Sequence, residues 1–336
     1  MKLNIRRSAG TLAVACLALG LAACGSSSSG TGAGATAGAG NITIAGVYGL
    51  TGDPFWASLG CGAKEEAQKL GVTYKDYSST SGDASAYSQS FSAATLAKPA
   101  GMFVNPSNPD QFVAQYKSLM TKGVPVVTIN GTNPAAQYKV VGTDTKNLAF
   151  LDQLKSLVPT GSGKIAVING IPGLVPVDSR LNPVVSAITS ANPQLQALKT
   201  TYTSFDVNKA TQAVSSLLIA NPDLKVIVAA DGPDGQATAA AVRAAGKAGK
   251  VTVIALDAVP AEVDALKQGL ITALVAQSPK QIGADQLKAL VDYIKSNPKG
   301  GAVPASDDFV GVPQRLLTKD NVGDAANADY TYQASC

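Results

Sequence analysis

The sequence predicts an α/β protein built from two doubly wound parallel-sheet domains facing across a cleft. Three observations predict it. Short apolar runs recur along the chain, separated by amphipathic stretches, which is the pattern of βα units whose strands are covered by helices on both faces. Once an N-terminal export signal is set aside, about 310 residues remain, too many for one ordinary core and suited to two. Polar and aromatic residues cluster just after the apolar runs, where open parallel sheets hold their ligands.

The chain opens with Lys2, Arg6 and Arg7, an apolar run over 11–21, and Leu21-Ala22-Ala23-Cys24. A basic start, a short apolar stretch and small closing residues describe a secretory signal over residues 1–23. The run is shorter than the ~20 residues that a hydrocarbon core requires. Leu-Ala-Ala-Cys resembles a bacterial lipobox, whose cysteine, here Cys24, is acylated and becomes the new N-terminus. The plainer reading is an ordinary signal with an incidental Cys24. Residues 24–40 complete this region as a lipidated cysteine and a flexible Ser/Gly/Ala tether with no large side chain to bury. The net charge of +4 includes the three positives of the signal, so the exported chain is close to neutral. That balance points to no nucleic-acid partner and leaves the lipid anchor as the membrane contact.

The strand-forming runs are 42–48, 101–104, 124–129, 164–168, 225–230, 251–256 and 271–276. After the first, Asp53 supplies an N-cap and Pro54 suits a first helical turn; the helix runs to Leu70, with Gly71 as its stop. Leu59, Ala63, Ala67 and Leu70 share its apolar face, and Cys61, Lys64, Glu65 and Gln68 its polar face. Further amphipathic stretches cover 112–120, 210–220, 235–248 and 261–268. Of the four cysteines, Cys16 leaves with the signal and Cys24 is the acylation site. Cys61 and Cys336 remain as an even pair in an exported protein, either bonded or two free thiols; we expect the disulfide.

The sequence contains no histidine. That removes the Ser-His-Asp triad, the Cys-His pair and imidazole metal sites. No Cys or His cluster suits zinc, and Asp307-Asp308 reads as a solvated turn. Gly161-Ser162-Gly163-Lys164 fails as a phosphate loop, because Ile165 stands where Ser or Thr is required and the segment precedes its strand. No cofactor, metal or catalytic residue is expected. The segments after the strands, 51–56, 105–108, 130–133, 169–180, 231–235, 257–260 and 277–281, are rich in Asn, Asp and Gln, with Arg180, Phe55 and Trp56 among them. Amides and carboxylates pair with neighbouring hydroxyls, and aromatic rings cover the C–H face of a sugar. This is binding chemistry without a nucleophile or base.

Asp53-Pro54-Phe55-Trp56, Lys69-Leu70-Gly71-Val72, Asn105-Pro106, Gly123-Val124-Pro125-Val126, Phe205-Asp206 and the run from Ala276 through Gln277 to Gly283 resemble, in order and spacing, the ribose-type periplasmic binding proteins. These are the type I solute receptors of ABC transporters, and the resemblance spans nearly all of 41–320. It implies a three-segment hinge, with crossings near 143–147, 277–283 and 302–310. The N-terminal domain is then 41–143 plus 278–303, and the C-terminal domain 144–277 plus 304–317. A tail, 318–336, exceeds this plan and is expected to fold back along the first helix, fastened by Cys61–Cys336.

The resemblance also implies roles. Phe55 and Trp56 stack on the ligand, Phe205 covers its opposite face, Arg180 and Asp257 bind hydroxyls, and Gln277 sits at a crossover. Asp53, Asn105, Asn130 and Asp231 complete the candidate set at the strand ends. Each also has a plainer role: core packing for the aromatics, an exposed charge for Arg180, a helix cap near Ala261 for Asp257. Three departures matter. Asn130-Gly131 stand where ribose receptors carry Asp-Arg, Leu256 where they carry an aromatic, and Ala230 where they carry Asn. A buried hydroxyl without its partner costs about 1–3 kcal/mol, so the resemblance implies a small polar ligand such as a monosaccharide without identifying ribose. The implied protein is a monomeric, extracytoplasmic receptor that closes on its ligand and delivers it to the permease subunits of an ABC importer. The rivals are a receptor serving a membrane signalling protein and an envelope enzyme.

Overall fold

In a computed structural model of the protein, residues 42–81, 83–105, 110–132 and 134–336 are described. The signal, the acylation site Cys24 and the tether lie outside them. The chain begins with β1 (Thr43–Val47), α1 (Pro54–Leu70), β2 (Thr73–Asp76), α2 (Ala84–Leu96), β3 (Gly101–Val104), α3 (Val113–Thr121), β4 (Val126–Thr128) and β5 (Lys139–Thr143). Then come α4 (Phe150–Ser156), β6 (Gly163–Asn169), α5 (Val175–Ala191), β7 (Leu195–Ala197), β8 (Thr201–Tyr202), α6 (Val207–Ala220), β9 (Leu224–Ala229), α7 (Gly232–Ala244), β10 (Thr252–Leu256), α8 (Pro260–Lys267) and β11 (Ala273–Ala276). The last elements are α9 (Pro279–Ser296), β12 (Phe309–Val312), β13 (Arg315–Leu317) and a short 3-10 helix, Ala325–Tyr330.

Two sheets result. The first has the order β12-β5-β4-β3-β1-β2, parallel throughout. The second has the order β13-β11-β10-β9-β6-β7, with β8 also on β6, and is parallel except where β13 runs antiparallel to β11. Parallel strands need crossover helices, and those helices bury both faces of each sheet. In the first lobe Phe91, Phe112 and Tyr116 cover one face, and Leu59, Ala63, Ile282 and Leu290 the other. In the second, Val214, Val242 and Leu266 lie on one face, and Leu154, Leu181 and Ile188 on the other.

The helix α9 follows β11 of the second sheet yet lies against α1 and the strands β3 to β5 of the first. Its approach to α1 depends on two glycines. A Cβ on Gly62 would come within 1.8 Å of the Lys280 carbonyl oxygen, and one on Gly283 within 1.9 Å of that of Leu59. The chain crosses a last time between β12 and β13. Segment 304–317, expected in the C-terminal domain, is therefore divided: β12 extends the first sheet beside β5, and β13 joins the second. The crossing expected within 302–310 lies later, at 313–314. β12, Phe-Val-Gly-Val, is a short edge strand with Phe309 and Val310 exposed, held by its pairing from Phe309 on Val140 to Val312 on Thr143.

Beyond β13 the tail first holds to the second lobe. Arg315 donates to the Ala326 carbonyl at 2.6 Å and to Asn327 Oδ1 at 2.7 Å, and Tyr330 and Tyr332 enter that lobe's core. It then passes to α1, where the Gln333 N–H donates to Ser58 Oγ at 2.6 Å and Cys336 is disulfide-bonded to Cys61, with Cα atoms 5.4 Å apart. Cys61 sits on the face of α1 read as polar, yet it is 1% exposed because the tail covers it. Its neighbours Lys64, Glu65 and Gln68 remain exposed.

Candidate functional site

The site is built on Asp257, the first residue after β10. Its backbone is held at φ +117°, an uncommon conformation for a residue with a side chain, and such strain concentrates at functional positions. Three donors converge on its Oδ1: Arg180 Nη2 at 2.8 Å, Gln277 Nε2 at 2.9 Å and the Tyr332 hydroxyl at 2.9 Å. None of these bonds uses Oδ2. Arg180 comes from the second turn of α5, at the end of the strand-following segment 169–180, and it is buried rather than an exposed charge. Gln277 lies where the chain leaves the second sheet, and its Oε1 accepts from Thr143 Oγ1 at the end of β5. One hydrogen-bonded chain thus runs from the first sheet through Gln277 to the second. Asp257 does not cap α8; Glu262 Oε2 accepts the Val259 N–H there at 3.1 Å.

The first lobe contributes from the start of α1. Asp53 is the N-cap that the sequence predicts, accepting from the Phe55 and Trp56 N–H groups at 2.9 and 3.2 Å. Burial raises its pKa against those hydrogen bonds, and the charge of Asp257 raises it further. Phe55 touches the cores of both lobes and meets the Tyr332 ring edge-on at 5.8 Å. Trp56 turns the other way, edge-on to Phe55 at 4.9 Å and stacked on Tyr48 at 6.1 Å. There it borders a cavity of about 430 Å³ shared with Tyr74, Asp76, Ser335 and Cys336. That cavity has no residue of the second sheet in its wall, so it is distinct from the interlobe cluster.

Several candidates make structural bonds and keep one buried atom without a partner among the described residues. Asn105 Oδ1 accepts from the Ile129 N–H at 3.0 Å, tying β3 to the end of β4, while its Nδ2 is unpartnered. Asp231 Oδ1 caps α7 by accepting the Asp234 N–H at 3.0 Å, while its Oδ2 is unpartnered. Arg180 Nε is likewise buried and unpartnered. A buried polar atom left without a partner costs about 1–3 kcal/mol, which is the driving force a polar ligand recovers. Burial pushes Asp231 up to about 8, with the charge of Asp234 adding to it, and burial holds Glu262 well above the carboxylate range. A protonated carboxyl can donate as well as accept.

Phe205 and Asn130 are joined to this cluster by no hydrogen bond or ring contact among the described residues. Phe205, at φ +59° and 38% exposed, lays its ring over Gly170, where a Cβ would come within 2.1 Å of it. Asn130 is exposed, while Leu256 and Ala230 are buried in the core. The aromatic beside Asp257 is Tyr332, from the tail. Sequence reasoning missed Tyr332, and also the buried Asp234 and Glu262. No spacing rule brings a residue 75 positions away onto a strand end; the Cys61–Cys336 pair was the available signal that the tail returns to this region.

Two parallel α/β lobes, joined by crossing segments and sharing a polar, aromatic-flanked cluster, define a two-lobed solute-binding protein. Residues 44–298 match the periplasmic binding protein domain, and the chain belongs to that family. It is similar to the D-allose-binding periplasmic protein of Escherichia coli (strain K12), 28% identical over 280 residues, which cover 80% of this chain and 89% of that protein. It is also similar to the ribose import binding protein RbsB of Salmonella typhimurium, 27% identical over 257 residues, 75% of this chain and 85% of that one. Among solved structures, an ABC transporter solute binding protein from Agrobacterium vitis, bound with α-D-tagatopyranose, matches with a TM-score of 0.71 at 25% identity, over 87% of this chain and 100% of the other. These relatives are binding proteins and not enzymes, and the family is extracytoplasmic.

Proposed function

We propose that the protein is the solute receptor of an ABC importer and binds a monosaccharide between its two lobes, which close on it. The observation that carries this reading is the Asp257 cluster: Arg180, Gln277 and Asp257 linked across the crossover, with unpartnered Arg180 Nε and Asp231 Oδ2 beside it. A polyhydroxylated ligand offers alternating donors and acceptors to such groups, and Phe55 provides a ring for its C–H face. The sugars bound by its relatives support the ligand class. Closure follows if the ligand contacts both lobes, since it then favours the state in which they meet. Asp53, Phe55, Asn105, Asn130, Arg180, Phe205, Asp231, Asp257 and Gln277 are the proposed contacts; Trp56 faces the separate cavity and backs Phe55 edge-on. Cys24 is the proposed lipid anchor, tested by labelled fatty-acid incorporation that Cys24→Ala should abolish.

The function is tested by thermal unfolding against pentoses, hexoses, polyols and nucleosides. A ligand at a hundred times its dissociation constant adds about 2.7 kcal/mol. A rise in melting temperature with one sugar, lost in Asp257→Asn, is the expected result. A response to a nucleoside alone, or to none of the panel, would overturn the sugar reading.

A further inference from the structure

We infer that Tyr332, carried by the disulfide-tethered tail, is a wall of the ligand cleft and determines which solutes fit there. The inference rests on the reading of the Asp257 cluster as the binding site. Tyr332 is 4% exposed, and its ring stands between groups of both lobes. On one side its hydroxyl donates to Asp257 Oδ1 at 2.9 Å and lies 3.5 Å from Gln277 Nε2; on the other its ring meets Phe55 at 5.8 Å and 71°. Its N–H donates to the Ala258 carbonyl at 2.9 Å, so its backbone is fixed beside the strand end that bears Asp257.

The residues that follow fasten this position to the first lobe, Gln333 through Ser58 and Cys336 through Cys61. The tail thus delivers an aromatic ring to the cluster from outside both sheets. Two consequences follow. The hydroxyl holds Asp257 Oδ1 and leaves Oδ2 and Arg180 Nε for the ligand, which sets the direction of hydrogen bonding. The ring limits how far a ligand extends toward α1, so an added substituent on that side is excluded. A strap with a purely structural role would change stability and leave the preference among ligands alone.

The test measures affinities for D-allose, D-ribose and D-tagatose in the wild-type protein, Tyr332→Ala, Tyr332→Phe and Asp257→Asn. Tyr332→Ala should change the ratio of affinities among the three sugars by about ten-fold, a difference of about 1.4 kcal/mol. An unchanged ratio, with binding still lost in Asp257→Asn, would overturn the inference and leave the proposed function standing. If Tyr332→Ala fails to fold, Tyr332→Phe decides, since it keeps the ring and removes the bond to Asp257: unaltered affinities would overturn the role. If the wild type binds none of the three, the sugar reading is what fails. The inference, which rests on that reading, falls with it.

Discussion

Cys336→Ser should lower the stability of the folded chain by several kcal/mol, because the bond it removes closes most of the molecule into one loop. Cys61 and Cys336 are 275 positions apart. In the chain-entropy account, cross-linking a loop of that length removes about 5–6 kcal/mol of unfolded-state entropy at 25 °C. The measured effect should be smaller. Tyr332, Gln333 and Arg315 hold the tail by hydrogen bonds that survive the substitution, yet without the bond the tail can also peel away locally while the sheets stay intact. About 2–5 kcal/mol is the expected loss, a fall in melting temperature on the order of 3–8 °C for a chain of this size. The assay is thermal unfolding by circular dichroism of the oxidised protein, the reduced protein and Cys336→Ser, with thiol titration on each. The reduced wild type should melt with Cys336→Ser, below the oxidised form. Identical melting of all three, or two free thiols in the exported protein, would refute the reasoning.

Other perturbations have equally defined outcomes. Since burial raises Asp231 to about 8, the folded state holds that proton more tightly than the unfolded chain does; stability should fall as pH rises from about 4 to about 8, and Asp231→Asn should flatten the slope in denaturant titrations. Arg180→Met leaves Asp257 partly buried without its cation, and should cost about 3 kcal/mol in urea unfolding, together with loss of sugar binding. Gly283→Ala drives a methyl into the Leu59 carbonyl, which no side-chain rotation relieves, and should cost about 3 kcal/mol or more by the same assay.

The apolar runs at Gly101–Val104, Val126–Thr128 and Thr252–Leu256 were legible because each is buried on both faces and has no polar alternative. The strand β2, Thr-Tyr-Lys-Asp, was not, since an edge strand needs no apolar face; β12 and β13 are apolar edges of only four and three residues, too short to stand out from their surroundings. α5 carries Pro176 and Pro183; one lies in the first turn, where no N–H is needed, and the other inside a helix stabilised by Leu181, Val184 and Ile188 against the sheet, so its apolar spacing does not by itself announce a helix. At the site, Asp53, Asp257 and Gln277 could be named because strand ends are predictable in parallel sheets. Tyr332 and the buried state of Cys61 could not, because both depend on where a tail lands after two lobes have formed.

The most direct test of the central claim is a crystal structure of the protein grown with saturating D-allose. The account predicts the sugar between the lobes, within hydrogen-bond distance of Arg180 Nε and Asp231 Oδ2 and against the Phe55 ring. An empty cleft, or a sugar seated only in the cavity between Trp56 and Cys336, would contradict it.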